Sequence, residues 1–216
     1  FNKLTSITSG SDVDEFLYDA DGDRVRSVLD GVTTFYAGSY QVEVSGSGTQ
    51  DTKYYRLAGQ IVGIETGGTY AAVAGDHLGS SSVSRDATGV VSTQRYSPYG
   101  LPRTVSGAND LGFDRSYTGQ RDDGNGLMYY NARYYRPDLG RFTAADTIVP
   151  NPGNGQDLSR YTYVRNNPLT YVDPSGHNGI SALFGTYQSM RENGVGGVVR
   201  CHTSPGSPCT YLNRAD

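Results

Sequence analysis

Tyrosines recur through the first part of the chain at a nearly fixed interval: Tyr18, Tyr36 and Tyr54 stand 18 residues apart, and Tyr70 follows after 16. A repeat of that length accommodates one or two short strands and their turns, and stacking such units buries what one unit alone cannot. The unit is legible in Phe16-Leu17-Tyr18-Asp19-Ala20-Asp21-Gly22-Asp23-Arg24-Val25-Arg26-Ser27-Val28-Leu29-Asp30-Gly31-Val32, where alternating stretches are broken by Asp-Gly turns of the hairpin kind. Further strands are expected at 34–36, 40–44, 54–57, 60–65, 69–73, 82–85 and 90–96. The 18 tyrosines against 6 phenylalanines, with no tryptophan and few Ala- or Leu-rich stretches, favour half-buried pleated surfaces. The fold class predicted is all-β, a strand-turn-strand sheet that can curl as its units stack on their neighbours.

From about residue 117 the texture changes to dense Tyr, Arg, Asn, Pro and Gly. One helix is expected at 180–191, where the apolar positions 180, 183, 184 and 187 share a helical face and Gly194, Gly196 and Gly197 follow. The organisation read from this is repeat strands over 1–116, a second segment over 117–176, and a C-terminal tail over 177–216. A net charge of −4 with 19 % charged residues fits a folded chain and gives no basic surface for nucleic acid. No stretch approaches the ~20 apolar residues of a membrane-spanning helix. The sequence begins at Phe1 without methionine, which reads as a fragment or processed product with any export signal upstream.

Several residue groups suggest chemistry and have a simpler reading beside it. Asp19, Asp21, Asp23 and Asp30 have part of the spacing of a calcium loop, but Arg24 occupies its glycine position and Asp30 is not Glu, so a turn explains them better. Asp76, His77 and Ser80 supply the residue types of a serine triad, yet neighbours on a strand point to opposite faces, and a structural turn is preferred. The arginines and tyrosines of 129–141 could stack on RNA bases; cation–π and hydrogen-bond ties between strands are the reading taken here. Cys201 and Cys209 flank the turn residues Pro205 and Gly206, so a disulfide and an oxidising, extracellular setting are expected, with two free thiols as the alternative. With His202 they make only three ligands, and no metal or other cofactor is expected.

Taken in order, the motifs resemble the RHS or YD-repeat proteins, and specifically their RHS repeat-associated core domain. The resemblance is carried by Tyr18-Asp19 with Gly22-Asp23-Arg24, Asp76-His77-Leu78-Gly79-Ser80, Tyr96-Ser97-Pro98-Tyr99-Gly100 and Tyr117-Thr118-Gly119-Gln120. It continues through Gly126-Leu127-Met128-Tyr129-Tyr130-Asn131-Ala132-Arg133-Tyr134-Tyr135-Arg136-Pro137-Asp138-Leu139-Gly140-Arg141-Phe142 and ends at Asn166-Asn167-Pro168-Leu169-Thr170-Tyr171-Val172-Asp173-Pro174-Ser175-Gly176. It implies a large hollow β-shell of toxin complexes and contact-dependent effectors, with teneurin-like relatives, whose core domain closes one end.

The resemblance also implies self-cleavage by two aspartates, here Asp146 and Asp173, one serving as acid and the other as base. Arg141 is the charge expected to keep one of them ionised, and the scissile bond is expected at His177-Asn178. The sequence departs from the pattern at Thr147, where proline usually follows the first aspartate, in the insertion over 149–155, and at His177, where leucine is often found. Two functions follow. One is a secreted, toxin-type core that caps a shell and cleaves itself, partnered by the upstream YD-repeat shell; the 40 residues after Gly176 are too few for an unstapled enzyme domain. The other is an extracellular structural or adhesive subunit without catalysis, whose identical copies polymerise into a fibre by strand addition.

Overall fold

The structure is a computed structural model that describes residues 3–103, 112–147, 149, 153, 155–177, 180–181, 197–200 and 210–213. Ten antiparallel strands form one meandering sheet in which each pairs with the next. They are β1 (Ser6–Ser9), β2 (Asp12–Tyr18), β3 (Arg24–Leu29), β4 (Val32–Ala37), β5 (Tyr40–Ser45), β6 (Gly48–Leu57), β7 (Gln60–Thr66), β8 (Thr69–Gly75), β9 (Ser81–Asp86) and β10 (Val91–Thr93). Two-residue turns make the meander possible. Asp30-Gly31, Ala58-Gly59 and Gly67-Gly68 have positive φ at both positions, the twist that antiparallel hairpins demand.

A second device closes the longer connections. In Asp19–Asp23, Asp76–Ser80 and Asp86–Val90 the first aspartate's Oδ1 accepts backbone N–H groups two and four residues on, and the fourth residue is a glycine at positive φ. Asp19, Asp21 and Asp23 are thus parts of a turn. The triad types also disperse: Asp76 caps its turn, His77 Nε2 lies 3.1 Å from the Leu169 carbonyl, and Ser80 Oγ accepts from Thr118 N–H.

One face of the sheet is covered by four short strands, β13 (Arg121–Asp122), β14 (Met128–Tyr130), β15 (Arg133–Arg136) and β16 (Arg141–Phe142), preceded by the β11 (Arg95–Tyr96) and β12 (Pro102–Arg103) pair. The tyrosine doublets explain this layer. Adjacent strand residues point to opposite faces, so Tyr129 and Tyr134 pack on Phe16 of the large sheet, while Tyr130 and Tyr135 turn away onto Tyr117, Met128, Phe142, Tyr163 and Val172. The layer is therefore buried on both sides.

Tyr18, Tyr36 and Tyr54 all point at this layer. Tyr18 meets Tyr129, Tyr36 lies under the Arg24 and Arg121 guanidinium groups, and Tyr54 meets Phe113. Tyr70 breaks the series: it sits half exposed on the opposite face against Tyr55, because the bulge between Tyr55 and Arg56 shifts the β6–β7 register by one residue and the Tyr54 face continues through Ile64 to Ala71 and Val73. Between the layers Arg24 stacks on Phe16, Tyr36 and Tyr129 and forms a two-pronged pair with Asp123, both side chains almost fully buried.

The helix expected from residue 180 gives way at its start to a strand: β18 (Ile180–Ser181) pairs with β17 (Tyr171–Val172), whose backbone offers a ladder partner that local periodicity could not reveal. Residues 182–191 lie outside the described residues, as do Cys201 and Cys209 and with them the expected disulfide. The pair β19 (Gly197–Arg200) and β20 (Thr210–Asn213) completes the strands. Among the described residues no helix is long and apolar enough to cross a membrane, and no group of three or more His, Cys, Asp or Glu could hold a metal ion.

Candidate functional site

Arg133 begins β15 opposite Tyr130, on the strand face that turns inward. A buried guanidinium needs anionic or carbonyl partners, and the chain supplies them from three distant places. Its Nη2 lies 2.8 Å from Asp146 Oδ2 and 3.6 Å from Asp173 Oδ2, its Nη1 donates to the Arg160 carbonyl at 2.9 Å, and its Nε donates to the Gly176 carbonyl. The Phe142 ring stacks on the guanidinium at 3.6 Å. Arg133, Asp146 and Asp173 are 6 %, 5 % and 2 % exposed, so solvent screens these charges little. Burial lowers the Arg133 pKa from its ordinary value, and the two aspartates oppose that shift.

Each aspartate is placed by a local motif. Asp146 follows β16, its N–H donating to the Arg160 carbonyl and its carbonyl accepting from Arg160 Nε at 2.6 Å. Asp173 opens a turn related to those of the large sheet: Oδ1 accepts from Gly176 N–H at 2.8 Å and His177 N–H at 3.1 Å. Gly176 is required there, since its φ is +75° and a Cβ would collide with the Tyr130 carbonyl oxygen. Asn131 Nδ2 and Gln120 Nε2 hold the Pro174 carbonyl at 2.9 and 3.2 Å.

His177 ends this turn and touches both aspartates, its N–H bonded to Asp173 and its Nδ1 3.0 Å from Asp146 Oδ1. The structure thus gathers Asp146, Asp173 and His177, while Asn178 lies outside the described residues. Arg141 does not join them: it is exposed on β16, paired across the strand with Arg136. The cation that reaches both carboxylates is Arg133, which sequence reading missed. Its signal was position, since an arginine one step from a tyrosine doublet in a strand buried on both faces has to find anions. A cavity of about 230 Å³ between the layers, walled in part by Arg24, Arg115 and Arg121, extends to Asp173 and Pro174.

Chemically, two buried carboxylates that meet on one guanidinium nitrogen bring together the residue types that acid–base hydrolysis uses. The fold that carries them defines a class, a strand-turn-strand β-shell segment covered by a tyrosine-rich four-stranded sheet. It matches a solved TcdB2–TccC3 complex with a TM-score of 0.64 and 23 % identity, over 81 % of this chain and 10 % of that one; at that identity the likeness is one of fold. In sequence the chain is 31 % identical over 189 residues to the tRNA(Glu)-specific nuclease WapA of Bacillus subtilis subsp. natto, covering 82 % of this chain and 8 % of the relative. It is 37 % identical over 105 residues to toxin subunit YenC1 of Yersinia entomophaga, covering 46 % and 10 %. The chain thus spans a tenth or less of the length of these relatives, and no family model matches it. The protein is an RHS-repeat chain of the toxin-related, core-domain type.

Proposed function

We propose that this segment caps an RHS shell and cuts its own chain after His177, separating 178–216 from the core. The observation that supports this is the meeting of Asp146 and Asp173 on Arg133 Nη2 with residue 177 bonded to both. In the reaction one carboxylate takes a proton from water as its oxygen attacks the His177 carbonyl carbon. The other, protonated, delivers its proton to the departing Asn178 nitrogen as the C–N bond breaks. Arg133 holds the pair in place and compensates their charge.

Intact mass of the purified chain tests the reading. Wild type is expected to yield fragments 1–177 and 178–216, and Asp146→Asn or Asp173→Asn to remain whole. Asn at 173 can still accept the turn's hydrogen bonds through Oδ1. Equal fragmentation in wild type and both variants, or an uncut wild type, refutes the proposal. The Asn178-Gly179 bond can cyclise and break slowly without enzyme help, and the Asn variants measure that background.

The partner in this reading is the upstream shell. Among the described residues β1 pairs only with β2, which leaves its outer edge open to a further strand. An extracellular location belongs to the same proposal. A second copy adding at that edge would instead build the fibre of the structural reading, since such head-to-tail contacts do not close on themselves unless the rotation matches a ring. Light scattering on the isolated chain separates the two: growth with concentration favours the fibre, and a stable monomer the cap.

A further inference from the structure

The contact between the His177 ring and Asp146 is not needed to build the turn, which Asp173 already caps through two backbone N–H groups. Nor is it needed to neutralise Asp146, whose other oxygen is paired with Arg133. Its consequence is that both Asp146 oxygens are engaged, Oδ2 by the guanidinium and Oδ1 by the imidazole at 3.0 Å. A carboxylate whose two oxygens already accept bonds is a poorer base toward water, and the ring takes up one of the lone-pair sites of Oδ1. His177 is the residue whose carbonyl is to be attacked, so the obstruction is built into the substrate. The ring is about one-third exposed, which leaves it open to protons from solvent.

We propose that His177 is a latch on the aspartate pair: its imidazole keeps Asp146 Oδ1 occupied in a resting arrangement, tightly while the ring is protonated and loosely once the ring is neutral. The inference rests on the self-cleavage reading and adds its regulation. The charged groups around the ring come from every side of the site: Asp146 from the segment after β16, Asp173 from the ring's own turn, Arg133 from β15, and Arg160, bonded to the Asp146 main chain. A protonated ring forms a charge-assisted bond to Asp146, roughly twice as strong as a neutral one. A neutral ring donates weakly from Nδ1, or accepts there in its other tautomer and lets go.

The experiment follows fragment formation by intact mass, between about pH 5 and pH 8 where histidines change charge, in wild type, His177→Leu and His177→Gln. Matched chains also carrying Asp146→Asn subtract spontaneous breakage. Dividing the wild-type rate by the leucine rate cancels the titration of the aspartates themselves. That ratio is expected to rise about tenfold from the low to the high end, with the leucine chain at least as fast as wild type throughout. Glutamine can donate to Asp146 but cannot become charged, so its rate relative to leucine is expected to be low and independent of pH. A wild-type to leucine ratio that does not change with pH, or a leucine chain slower than wild type at every pH, overturns the latch and leaves self-cleavage standing. If none of the three chains cleaves at any pH, the self-cleavage reading falls and the latch with it.

Discussion

Raising the pH is a perturbation to which this fold is unusually exposed. Eight tyrosines, Tyr54, Tyr96, Tyr117, Tyr129, Tyr130, Tyr134, Tyr135 and Tyr163, have pKa values raised above the ordinary tyrosine value, in each case chiefly by burial. Most of these rings lie in the closing layer or pack on it. Above about pH 10 the unfolded chain sheds phenolic protons that the folded chain keeps, so stability falls as pH rises. At about pH 11 each such tyrosine has cost on the order of 1 kcal/mol, and the group together on the order of 10 kcal/mol.

One group acts in the opposite sense. Burial, with Arg121 and Arg56 nearby, lowers the Arg115 pKa from its ordinary value, which offsets part of that loss. What remains is comparable to the 5–15 kcal/mol that holds a typical domain together. The protein is therefore expected to unfold cooperatively near pH 11, with tyrosinate absorbance and loss of the β-sheet circular dichroism signal rising together. A chain that keeps its dichroism at about pH 12, or whose buried tyrosines titrate one by one while it stays folded, would refute the argument.

Ala58 holds a left-handed conformation, φ +50°, in the β6–β7 turn; Ala58→Gly removes that strain and is expected to raise stability by about 0.5–1 kcal/mol in urea unfolding, after the entropy glycine costs. Asp123→Asn leaves the buried Arg24 charge without its counterion and is expected to cost about 3–5 kcal/mol, most of it recovered when Arg24→Met is combined with Asp123→Leu; thermal melts of the three chains decide this. Gly176→Ala drives a methyl group into the Tyr130 carbonyl at a positive φ. It is expected to cost at least about 2 kcal/mol and to abolish fragment formation, because the displaced turn no longer presents the peptide after His177 to the aspartate pair.

Local chemistry determined the strands of the large sheet. Asp30-Gly31 and Gly67-Gly68 can do little but turn, Asp19 and Asp76 cap their own loops, and alternation between turns set which residues share a face, so Tyr18, Tyr36 and Tyr54 were legible as equivalent. Period 2 and turn preference act over a few residues and are therefore written in a few residues. The motif order likewise brought Asp146 and Asp173 into view.

Tertiary structure decided which cation serves those aspartates. Arg133 and Arg141 look alike along the chain, but one falls on a strand face buried by Tyr130 and Tyr135, where desolvation obliges it to collect Asp146, Asp173 and two carbonyls, and the other falls on an exposed edge. The same holds for Tyr70, turned outward by the bulge between Tyr55 and Arg56, and for Ile180–Ser181, whose helical periodicity yielded to an unpaired strand. Burial and free ladder partners are properties of segments remote in sequence, so they exist only once the layers have come together.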